Sequence, residues 1–71
     1  MNQHLTLYDL RVVACPVGSR VFHHADLDVG TVLKSGYWMK VRWKDGYVSE
    51  TQWSSISPLS EHPLRATLNL K

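Results

Sequence analysis

The residues best suited to chemistry or recognition lie between Val29 and Lys44. Lys34, Lys40, Arg42 and Lys44 place four positive charges in that span, and no acid interrupts them. In an extended chain successive side chains alternate faces. Trp38, Lys40, Arg42 and Lys44 therefore share one face, and Tyr37, Met39, Val41 and Trp43 share the other. Cations beside an indole can follow a phosphate backbone and stack a base. The plainer reading is a solvated outer face, with Lys40 opposite Glu50 on a neighbouring strand.

Aromatic residues are a second candidate. Tyr37, Trp38, Trp43, Tyr47 and Trp53 fall within seventeen residues, 37 to 53. Such rings, with Asp45 or Glu50, can enclose a cation. A small domain also needs large rings to fill its core, and core packing suits Trp43 best. By parity Trp38 is the ring expected to face solvent, where an exposed tryptophan marks a binding hot spot. The expected binding residues are thus Trp38, Lys40, Arg42, Lys44, Tyr47 and Trp53.

The remaining reactive side chains carry weaker signals. His23 and His24 are adjacent, so on a strand they would point to opposite faces and not chelate one ion. His4 and His62 lie in the flanks. No Cys or Glu stands at ligand spacing, so no metal site and no cofactor are expected. Cys15 precedes Pro16 with no evident base or oxyanion pocket, and a buried inert thiol is the default. Asp26 and Asp28 read as solvated loop carboxylates, or as an acidic edge for a basic partner. No catalytic constellation emerges, and an enzyme is not expected.

These residues need elements to hold them. Arg20–His23 alternates polar and apolar residues, as a half-buried strand does. His24–Asp28 is a polar loop. Val29–Lys34 is a second strand, in which Gly30 suggests a bulge or sharp bend. Ser35-Gly36 is a turn. Tyr37–Lys44 has the strongest alternation, and Asp45-Gly46 marks a hairpin. Its loop holds either two residues, pairing Lys44 with Tyr47, or three, pairing Trp43 with Tyr47; the second is preferred. Tyr47–Gln52 returns. Trp53–Ile56 suggests one helical turn, and Ser57-Pro58-Leu59 a short edge strand. Near the start, Thr6 and Asp9 form a variant capping box. Leu7, Leu10, Val13 and Ala14 then approach helical spacing. A helix over Leu7–Ala14 is expected, with a strand as the alternative.

The bulk figures agree with a folded chain. Seventy-one residues hold at most one domain, with 44% hydrophobic and 20% charged residues and a net charge of +2. A chain this short is marginally stable. No signal peptide or membrane span is evident, and one cysteine makes the cytoplasm the default compartment. The expected architecture is mostly β: a five-stranded barrel over 16–59, a flanking element over 1–15, and a tail over 60–71 that is flexible or adds a strand.

Gly18–His23, Gly30-Thr31-Val32, Val41–Gly46 and Ile56–Leu59 together resemble small SH3-like barrels of the Tudor kind. Their order and spacing are similar to the Tudor-like modules at the C-terminus of UvrD helicases and the N-terminus of CarD transcription regulators. The acidic loop His24–Asp28 departs from the glycine-rich turn of those modules. A chain of this size also resembles the small accessory proteins of phages and prophages. The resemblance implies a non-enzymatic interaction module. It would dock on a protein of the transcription or nucleic-acid-processing machinery, with direct nucleic-acid binding or homo-oligomer formation as alternatives.

Overall fold

The computed structural model describes residues 5–64. They form α1 (Leu7–Ala14), β1 (Arg20–His23), β2 (Val29–Lys34), β3 (Trp38–Trp43), β4 (Val48–Gln52), a 3-10 turn at Trp53–Ser55, β5 (Ile56–Pro58) and a second 3-10 turn at Leu59–Glu61. The fold is mostly β, with five antiparallel strands and one short N-terminal helix.

The N-terminal choice between helix and strand falls to the helix. Thr6 Oγ1 accepts from the Asp9 amide at 3.0 Å, and Asp9 Oδ2 accepts from the Thr6 amide at 3.1 Å. This reciprocal box occupies two amides that would otherwise lack partners at a helix start. Tyr8, Arg11, Val12 and Cys15 then repeat at helical spacing on the docked side. Val12 packs on the core and Cys15 is fully buried. The Arg11 guanidinium donates to the Ile56 carbonyl and to Ser57 Oγ, tying α1 to β5. Leu7, Leu10 and Val13 face outward.

The strands lie in the order β4-β3-β2-β1-β5. The β3–β4 hairpin has the three-residue loop. The Trp43 amide donates to the Tyr47 carbonyl at 2.8 Å, and the Gly46 amide donates to the Trp43 carbonyl at 2.8 Å. Gly46 sits at φ +92°, a conformation that side chains disfavour. The bulge or bend expected at Gly30 is not there: Gly30 pairs in register with Trp43, and the irregularity in β2 is a register shift between Val32 and Lys34. Gly30 itself marks a close approach to β3. A Cβ there would lie 2.8 Å from the Arg42 carbonyl oxygen and 2.9 Å from Trp43 Cε3.

The sheet must curl. Four residue steps separate Gln52 from Ile56, a reach of at most about 14 Å. The edges of a flat five-stranded sheet would stand about 19 Å apart. The hydrogen-bonded ladder nonetheless stays open, with β4 and β5 as its edges. Full closure, expected as the remedy for exposed edges, does not occur; α1 packs instead on β5 and on the turn Trp53–Ser55. Val21, Val32, Met39, Val41 and Ile56 meet Cys15 in the core, with Val12, Trp43 and Trp53 packed around them.

Residues 60–64 do not form an added strand. The turn Leu59–Glu61 packs on β1, and His62 is buried. His62 Nε2 lies 3.1 Å from the Leu27 carbonyl, and its Nδ1 accepts from the Leu64 amide at 2.9 Å. The ring also meets Phe22 edge-on, 4.8 Å between centroids. His62 thereby holds Leu27, which sits at φ +63°. The rest of the expected tail, 65–71, lies outside the described residues, as does His4.

Candidate interaction face

The face is built by strand parity. Met39 and Val41 point into the core, while Trp38, Lys40 and Arg42 are exposed. Antiparallel register then extends these positions across neighbouring strands. Arg20, Thr31, Arg42 and Val48 stand in one row across β1 to β4. Lys34, Lys40 and Glu50 form the next row, and Trp38 and Gln52 the one after. Arg20 is a cation outside the expected binding residues. Its alternation with buried Val21 could have placed it outward, but only the β1–β2 register brings it into line with Arg42.

The face is markedly unbalanced in charge. Arg20, Lys34, Lys40, Arg42 and Lys44 are all exposed, and Glu50 is the one acid in these rows. Lys34 and Lys40 are direct register partners, an arrangement that costs stability. Lys40 stands opposite Glu50, yet no ion pair joins them. The one ion-pair contact among the described residues is His23 Nδ1 to Asp26 Oδ1 at 3.8 Å. A groove of about 470 Å³ runs over β2 along Gly30 and Thr31, edged by Arg20, Arg42 and Lys44.

Trp38 is 53% exposed. It ends a file of rings. Trp53 meets Tyr8 at 5.6 Å, Tyr8 meets Tyr37 at 6.1 Å, and Tyr37 meets Trp38 at 5.9 Å. The Gln52 side-chain amide donates to the Tyr37 hydroxyl at 2.6 Å, steadying the ring beside Trp38.

The expected binding residues do not all share this face. Trp38, Lys40 and Arg42 do, and Lys44 edges its groove. Trp53 is half-buried between α1 and the core. Tyr47 pairs with Trp43 and lines a different pocket, of about 290 Å³, with His23, Asp26, Asp28, Trp43 and Asp45. Trp43 is half-buried, packs on the core and donates from Nε1 to Ser49 Oγ at 2.9 Å.

A third cluster joins α1, β5 and the turn that follows β1. Ser57 Oγ accepts from Arg11 and lies 2.5 Å from His24 Nε2. Desolvation, then Arg11 and His23, push the His24 pKa down, against an opposing pull from Glu61. The neutral ring can accept the Ser57 hydroxyl proton, which fits that direction. Burial raises the Cys15 thiol pKa, partly offset by Arg11, so the sulfur is a poor nucleophile. Among the described residues no three His, Cys, Asp or Glu side chains gather as metal ligands would. No helix is long and apolar enough to cross a membrane among those residues.

Comparison with models of protein families, with curated proteins and with solved structures finds no significant match.

Proposed function

We propose that this chain is a non-enzymatic interaction module of the SH3-like, Tudor-type kind. It docks on a protein of the transcription or nucleic-acid-processing machinery. The four-stranded meander β1–β4, with a 3-10 turn carrying the chain from β4 across to β5 beside β1, supports the Tudor-like reading. A buried reduced thiol at Cys15 fits a cytoplasmic setting.

The observation that carries the proposal is the outer face. Five cations lie on it without an ion pair among the described residues, beside the exposed Trp38. An acidic protein surface would neutralise the cations, and Trp38 would supply the desolvated anchor. Capture from a host lysate tests this. Trp38→Ala is expected to weaken capture of the partner at least tenfold while Lys34→Ala weakens it little. Equal capture by wild type and Trp38→Ala would sink the assignment.

Direct nucleic-acid binding is the second reading, favoured by the spacing of Lys40 and Arg42 on β3, with Lys44 in the turn that follows. Alternate strand residues recur about every 6.7 Å, so Lys40 and Arg42 begin a track of positive charge. Under this reading Lys40→Ala and Arg42→Ala reduce affinity alike for all sequences, and affinity falls steeply with salt. Protein docking through Trp38 tolerates moderate salt better.

A further inference from the structure

We propose that two copies of this chain pair around the β3–β4 hairpin tip, each seating its basic groove against the acidic pocket of the other. The two features adjoin. Trp43 lines both, and the consecutive tip residues divide between them, Lys44 edging the groove and Asp45 the pocket. Their charges match in number and oppose in sign. Arg20, Arg42 and Lys44 stand on one side, and Asp26, Asp28 and Asp45 on the other.

None of these six charges is neutralised by another within the described residues, although both patches border Trp43. Asp26 and Asp45 each hold a turn amide, at 3.0 Å from Asp28 N and Tyr47 N respectively, and so present fixed carboxylates. Adjacent patches of opposite sign are self-complementary under a two-fold rotation about their border. Each copy's cations then reach the other's carboxylates, twice over, and the assembly closes at two chains. The net charge of +2 offers little overall repulsion to oppose this. The patch is small, so the dimer is weak and dissolves with salt.

Pairing occupies Arg42 and Lys44 and leaves Trp38 and Lys40 free, so it does not depend on the docking function and would compete with part of it.

Sedimentation of the whole chain at micromolar to millimolar concentration tests the pairing. Dimer is expected at low ionic strength, with dissociation strengthened at least about tenfold as salt rises from about 0.01 M to about 1 M and the Debye length shrinks from about 30 to about 3 Å. Arg42→Glu with Lys44→Glu gives one charge-reversed chain, and Asp28→Lys with Asp45→Lys the other. Each alone should be monomeric, and an equimolar mixture should restore a salt-sensitive heterodimer. A chain that stays monomeric at low salt overturns the proposal. So does a dimer indifferent to salt but lost in Leu10→Ser, which would place the contact on the outer side of α1. The wild-type salt series decides the matter even where a reversed chain folds poorly. Trp38→Ala should leave pairing intact, so loss of docking and loss of pairing are read separately.

Discussion

Gly30 shows how one residue shapes the candidate face. Its missing side chain lets β3 approach β2 on the core side, beneath the strand that carries the basic groove. In Gly30→Ala the new Cβ would lie 2.6 Å from Val41 Cγ1 and 2.8 Å from the Arg42 carbonyl. The backbone oxygen cannot rotate away as a flexible side chain can. Destabilisation of about 1–3 kcal/mol is expected from such overpacking, read from the urea midpoint. Unchanged stability would mean that β2 and β3 can separate at little cost. Trp38 is the opposite case. It is half in solvent, and Trp38→Ala should alter stability by no more than about 0.5 kcal/mol. Its loss can therefore be read as a loss of binding.

At the scale of elements, α1 acts as a cover fastened by polar contacts at both ends. Thr6→Ala removes the cap and is expected to lower stability by about 1 kcal/mol, measured by thermal melting. Near the other end, Arg11, Ser57 and His24 join three elements through one hydroxyl. The folded-state pKa of His24 lies below its ordinary value of 6.5. Above that value the ring is neutral in both folded and unfolded chains, and the contact contributes fully. As pH falls below it, the unfolded chain takes up the proton first, and folded stability declines until the folded ring also charges. Melting temperature should thus drop between about pH 7 and pH 5, and His24→Gln should remove that part of the drop. An identical slope in the variant would assign the pH dependence elsewhere. Most element boundaries were legible in the residues. Strong alternation in β3, the Asp45-Gly46 turn and the Thr6/Asp9 pair each left a local signature. β5 begins at Ile56, one residue before the expected Ser57, because local pattern alone assigns Ile56 to the preceding turn. Its strand identity comes from pairing with His23, a contact 33 residues away in sequence.

For the molecule as a whole, the modest net charge divides by location. Five cations occupy the outer face, and three aspartates gather at one rim. Repulsion among the cations, including the opposed Lys34 and Lys40, opposes folding at low salt. Moderate salt should therefore raise the melting temperature slightly while weakening any acidic partner's association, two trends measurable on one sample. A melting temperature that falls with salt would show that attractive pairs outweigh this repulsion.

The sequence by itself determined the period of each strand, the turn chemistry and the alternation that exposes Trp38, Lys40 and Arg42. These are local consequences of backbone geometry. Which distant residues join them depends on the folded arrangement of the strands. Register drew Arg20 and Lys34 into rows with β3, curling of the sheet gathered Asp26, Asp28 and Asp45 beside Tyr47, and docking of α1 half-buried Trp53. His62, far from Phe22 and Leu27 in the chain, became a buried clasp. No local pattern encodes such meetings, because they depend on which strand edges and faces come together when the sheet bends around its core.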